Sequence, residues 1–223
     1  MILDDLNLWQ TVLIWAIPLL FAVTVHEVAH GWVAWKLGDN TARAAGRLTL
    51  NPLSHIDPIG TIVVPSLLYV AGGFVFGWAR PVPVDWRNLQ RPKTDMVYVA
   101  LAGPLANLCM ALGWLLVLRI GMEIIYAGSV VGVALLYLGK TGVLVNLLLM
   151  LVNLLPVLPL DGGRVVAGLL PAPLAGYYAK LTPLGLPLMV ALIALIHFDW
   201  LPNVFIPPLL WFERLLYSLA GVI

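Results

Sequence analysis

Long apolar runs, broken by two polar stretches, set the pattern of this chain. A helix that crosses a bilayer needs about 20 mostly apolar residues. The first candidate runs from Leu8 to about Lys36. The second, Ile59 to Phe76, is interrupted by Pro65 and by Gly72-Gly73. The third is Val97 to Leu118 and ends at Arg119. The fourth covers about Val130 to Leu155 and is closed by Pro156 and Pro159. A short fifth covers about Leu184 to Ile196. The sixth, about Val204 to Val222, holds Glu213 and Arg214. The polar stretches are Gly38 to Pro58 and Gly77 to Asp95. Each has an alternating patch, at 46–50 and at 81–85, that suits a short strand. Pro81 and Pro83 would confine the second to a sheet edge. The predicted fold class is an all-α polytopic membrane protein with five to six transmembrane helices, a re-entrant segment and short membrane-associated β-strands.

Composition agrees with that class. Of the 223 residues, 61% are hydrophobic and 10% charged, and the mean hydropathy is +0.98. A soluble domain has about 25% charged residues, so these charges are too few to cover a water-facing surface. The net charge of +1 gives no electrostatic footprint for nucleic acid. Cys109 is the single cysteine, so no internal disulfide forms. The N-terminal residues carry Asp4 and Asp5 without Lys or Arg, unlike a signal peptide. The first run is therefore expected to stay in the mature protein. One integral-membrane domain is expected over 1–223, with a catalytic core at about 8–170 and added C-terminal helices at about 183–223.

Candidate chemistry sits inside the first run. Residues 26–30 read HEVAH. Positions i and i+4 share a helix face, so His26 and His30 can offer ring nitrogens to one metal ion. Glu27 would stand beside the metal and take a proton from water. Charged groups within lipid cost at least about 2.5–3.5 kcal/mol each, which a metal compensates. Catalytic zinc usually takes three protein ligands. Asp161, in NLLPVLPLDGG at 153–163, is the third candidate. Pro156 and Pro159 break the preceding helix, and Gly162 and Gly163 allow a sharp turn that aims the carboxylate back into the bundle. The competing reading is that Asp161 only caps a turn at the membrane surface.

HEVAH, AGPLAN at 102–107 and NLLPVLPLDGG at 153–163 together resemble the site-2 protease family of intramembrane zinc metalloproteases. NPLSHIDPIGT at 51–61 and the WARPVPV stretch resemble a compact branch without a PDZ domain. The resemblance covers about residues 20–170. It implies one zinc ion per chain held by His26, His30 and Asp161, with Glu27 as catalytic base. It also implies that Asn153 binds substrate or stabilises the oxyanion. The substrate would be a membrane-spanning protein cut within or near its transmembrane helix.

His55 could approach the site as an accessory ligand or substrate contact, but bonding to a loop carbonyl explains it more simply. Asn107 and Asn146 are assigned to packing, with Asn107 next in line for a site role. A membrane metal transporter, or a non-proteolytic zinc-binding scaffold, would explain the ligands but not Glu27 beside them.

The ligands must meet at one depth. That requires the first and fourth runs to be parallel, so Ile59–Phe76 should re-enter rather than cross. One side then collects Lys36, Arg43, Arg47, Arg80, Arg87, Arg91, Lys93, Arg164 and Lys180. The other holds Asp4, Asp5, Arg119 and Glu123. Positive residues favour the cytoplasm. The site is expected to open toward the cytoplasmic side of a prokaryotic plasma membrane.

Overall fold

The computed structural model describes residues 7–72, 77–185, 187–188, 191 and 202–222. Most of the fifth predicted run, with His197, lies outside them.

Among the described residues, three helices are long and apolar enough to cross a membrane: α1 (Leu8–Lys36), α4 (Pro92–Tyr126) and α5 (Val131–Asn153). Between α1 and α4 lie α2 (Thr41–Ala44), a 3-10 turn at Pro52–His55, a π-helical turn at Pro58–Val63, α3 (Val64–Gly72) and a 3-10 turn at Trp86–Asn88. After α5 come α6 (Asp161–Leu169), α7 (Ala172–Ala179) and a C-terminal helix, Pro202–Leu219. That last helix contains Pro207 and Pro208 as well as Glu213 and Arg214, and is not among the three.

The helix ends follow local chemistry. Asn7 and Gln10 form a reciprocal capping box at the start of α1, which satisfies two free N–H groups. Gly38, at φ +112°, ends the run in a conformation that side chains disfavour. Helix α4 extends beyond the predicted 97–118 at both ends. Pro92 suits the first turn, and the Arg91 N–H donates to Asp95 Oδ2 at 2.8 Å. Arg119 and Glu123 pair at 2.7 Å on one face, so those charges ride on the helix rather than ending it.

Helices α4 and α5 form an antiparallel hairpin. Added Cβ atoms at Gly139 and Gly142 would stand 2.5 Å from the Leu118 nitrogen and 2.2 Å from the Trp114 ring, so these glycines let the helices touch closely. The core on this side gathers Ala111, Leu115, Leu118, Val143, Leu147 and Met150, with Leu216 and Tyr217 of the C-terminal helix. Helix α1 packs antiparallel to α4, since His26 meets Asn107 while His30 meets Val99. It follows that α1 and α5 run in the same direction.

The second predicted run behaves differently from the others. Its two ends meet: the Trp78 N–H donates to the Gly60 carbonyl at 3.0 Å and the Arg80 N–H to the His55 carbonyl at 2.9 Å. Cβ atoms at Gly60 and Gly77 would collide with the Trp78 ring and the Gly60 carbonyl. The closure therefore depends on both glycines.

The short strands predicted at 46–50 and 81–85 do not form, and no strand occurs among the described residues. Pro81 and Pro83 have no N–H to give a ladder, and the Val82 N–H is spent on Glu27. The two stretches meet through a side chain instead: Arg47 Nη2 donates to the Arg80 carbonyl at 2.9 Å.

Candidate metal centre

Helix α1 places His26 and His30 one turn apart on the face turned to α4, and both are buried. Their Nδ1 atoms are engaged. His26 Nδ1 lies 2.6 Å from Asn107 Oδ1. His30 Nδ1 lies 2.7 Å from the Val99 carbonyl oxygen. Both partners are acceptors, so each Nδ1 carries a proton, and a neutral ring then has its lone pair on Nε2.

Those lone pairs converge. The two Nε2 atoms are 3.0 Å apart, and Asp161 Oδ2 lies 3.2 Å from both. Asp161 is buried, and its Oδ2 has no hydrogen-bond partner. With both rings neutral, three acceptor atoms face one point, an arrangement that suits a cation. A tetrahedral zinc site with bonds of about 2.0–2.1 Å has ligand–ligand edges of about 3.3 Å, close to this triangle. Two imidazoles and a carboxylate suit zinc. The residues therefore fit the ion, and His26, His30 and Asp161 form the group able to hold a metal among the described residues.

Asp161 arrives from the first turn of α6, where a carboxylate complements the helix dipole. Gly162 and Gly163 do not make the predicted sharp turn. They are helical, and Cβ atoms there would stand 2.2 Å from the Leu154 carbonyl oxygen and 2.5 Å from the Leu158 nitrogen. Their role is to let α6 lie directly on the loop that follows α5.

Gly103 opens space on α4. A Cβ there would stand 2.4 Å from His30 Nε2 and 2.6 Å from His26 Cε1. Within AGPLAN nothing marks Gly103 for this contact with the imidazoles.

Glu27 projects beside the cluster, and its Oε2 accepts the Val82 N–H at 2.7 Å. The loop carrying Val82 is anchored by Asp39, which is fully buried. Asp39 accepts from the Thr41 N–H and hydroxyl, the Asn88 amide and the Asp85 N–H. Asp39 was missed in the sequence because nothing in GDN distinguishes it from an ordinary turn. Trp86 of the same loop receives Arg164 of α6 over its ring at 5.0 Å.

The remaining predicted residues take other positions. Asn153, half-buried near the end of α5, donates to the Leu149 carbonyl of its own helix at 2.9 Å. His55 is buried, with Nε2 2.9 Å from the Thr49 carbonyl oxygen. It is not part of the cluster. Asn107, by contrast, reaches the cluster directly through His26.

Comparison with known proteins adds relatives to this geometry. The chain is 45% identical over 170 residues to a Bacillus subtilis protein named "Putative zinc metalloprotease YwhC", covering 74% of this chain and 72% of that one. It is 33% identical over 144 residues to "Putative zinc metalloprotease Rip2" of Mycolicibacterium smegmatis, and 32% over 143 residues to Rip2 of Mycobacterium tuberculosis. The match spans about half the length of these two, 52% in each case. No protein-family model and no solved structure matches the chain.

Proposed function

The chain belongs to the zinc metalloprotease family of its Bacillus subtilis relative, and from that premise we propose that it is an intramembrane endopeptidase of the site-2 protease type. The observation that carries the reading is the convergence of three buried acceptor atoms, from His26, His30 and Asp161, at one end of helices long and apolar enough to span a bilayer. Glu27 stands next to them in sequence. The substrate would be the transmembrane segment of a membrane protein.

His26, His30 and Asp161 would hold the zinc. Zinc so held supplies Lewis acidity and brings the pKa of water toward about 7. Glu27 accepts the proton of the attacking water and returns it to the leaving amine. Its Oε2 is oriented by the Val82 N–H, which leaves Oε1 for the transfer. Asn153 donates to the carbonyl oxygen of the scissile bond as negative charge develops there. To do so its amide must leave the Leu149 carbonyl. That carbonyl already lies within the helix ladder, so releasing it costs little. Water would enter from the cytoplasmic side.

The test is cleavage of a panel of single-span membrane substrates in liposomes, by the parent and by Glu27→Gln, with zinc measured in both. The expected result is cleavage by the parent alone and about one zinc in each protein. Parent-like turnover in Glu27→Gln would remove Glu27 as the base. Zinc in both proteins with no cleavage by either, together with zinc flux across the same liposomes, would favour a metal carrier.

A further inference from the structure

Asn107 and Asn146 are both fully buried and belong to different helices, α4 and α5. The mechanism above uses neither. Polar side chains buried between membrane helices are commonly interhelical glue, worth about 0.6–2 kcal/mol each. Here the polarity of the bonds says more than that.

The orientation of both amides is fixed by main-chain carbonyls, which can only accept. Asn146 Nδ2 donates to the Gly142 carbonyl at 2.9 Å, so its Oδ1 must face the other way. Asn107 Nδ2 spends its two protons on Asn146 Oδ1 at 3.0 Å and on the Ala22 carbonyl at 3.3 Å. Asn107 Oδ1 is thereby turned toward His26 Nδ1, 2.6 Å away. An acceptor at that distance requires the ring proton on Nδ1. The chain of donors thus runs without reversal from His26 through Asn107 and Asn146 to Gly142, and in the neutral ring the lone pair falls on Nε2.

We propose that Asn107 and Asn146 form a two-residue tautomer lock: positioning residues that hold His26 with its proton on Nδ1 and its Nε2 lone pair aimed at the metal centre. The value of the lock to the enzyme rests on reading His26 as a metal ligand. His30 has the same protection from the Val99 carbonyl, which side-chain substitution cannot remove. His26 alone depends on side chains. Outer groups of this kind orient ligating histidines and raise their basicity.

Asn146→Leu is close in size but removes the shorter of the two bonds that orient Asn107, leaving only the 3.3 Å bond to the Ala22 carbonyl, so the Asn107 amide can flip part of the time and present Nδ2 to His26. Asn146→Ala does the same without risk of a clash. Asn146→Asp preserves the lock. Ionised, it still accepts from Asn107 Nδ2; protonated, its O–H also replaces the bond to the Gly142 carbonyl.

The experiment has two readouts on full-length protein in detergent. One is the 15N spectrum of labelled histidine in metal-free protein, with His26 assigned by substitution. The other is zinc affinity by competition with a chromophoric chelator. In the parent and in Asn146→Asp, His26 should be the pure Nδ1–H tautomer. In Asn146→Leu and Asn146→Ala it should be a mixture. Zinc binding should weaken about 10–100-fold in the Leu and Ala variants and stay within about threefold of the parent in Asn146→Asp. An unchanged tautomer in the Leu and Ala variants overturns the proposal and leaves the asparagines as packing. The expected tautomer pattern in a parent that binds no zinc would uphold the lock and overturn the metal reading instead.

Discussion

At Gly103 the absence of a side chain makes room for the two imidazoles. Both rings are fixed at Nδ1, by Asn107 and by Val99, so neither can step aside for a Cβ at 2.4–2.6 Å. Overpacking of this kind costs about 1–3 kcal/mol, or roughly 5–150-fold in an affinity at about 1.4 kcal/mol per decade. Gly103→Ala should therefore lower zinc affinity by such a factor while the α4–α5 hairpin, which closes elsewhere, stays intact. Chelator competition together with circular dichroism would check both halves. The candidate ligands could be read from the chain because i, i+4 spacing on an apolar helix and a carboxylate after a proline-broken helix are local signals. Asn107 and Gly103 could not be read so, because their importance depends on which helix faces them. The sequence suggested packing for Asn107 with a site role second in line, and the fold puts it against His26. For Asn153 the chain offered only a resemblance, and in the fold its amide turns to its own helix.

Among the elements, the loop between Gly77 and Arg91 departs most from its periodicity. Alternation at 81–85 looked like a strand. Proline removed two donors there, Glu27 took the N–H of Val82, and Asp39 took that of Asp85. The result is a strap pinned at two carboxylates, Glu27 of α1 and Asp39 in the turn just after it. Burial by itself would raise the Asp39 carboxyl. Hydrogen bonds from the Thr41 and Asn88 side chains and from the Asp85 and Thr41 N–H groups outweigh it and hold the carboxyl below the usual carboxylate range. The stability it contributes is thus fully present above its unfolded value near pH 4 and is lost as pH falls through the lower folded value. Asp39→Ala should cost about 2–3 kcal/mol at neutral pH, given several bonds to a buried charged acceptor. It should also abolish the acid-dependent part of the loss. Thermal unfolding in detergent at neutral and acidic pH would measure both, and proteolysis within 79–90 would locate the effect.

For the whole molecule, the hydrogen bonds joining Gly60 to Trp78 and His55 to Arg80 return the chain to the place it left. Reporter tags at residues 45 and 88 should accordingly label from the same side of the membrane. Labelling from opposite sides would make the segment a full crossing, and would scatter the basic residues across both faces. The same fold carries a measure of length. The 23 uncharged residues of α4 from Met96 to Leu118 rise roughly 34 Å, close to a hydrocarbon core of about 30 Å. Gly103, where the imidazoles rest, stands roughly 12 Å in from the Asp95 boundary on that scale. On the proposed function, the centre would work as a depth gauge. Whatever the side chains of a substrate, the bond presented to Glu27 would be the one lying about two helical turns beneath the headgroups. Lengthening a substrate's apolar segment at the opposite end should leave the cut where it is, while adding residues at the near end should move it by the same number.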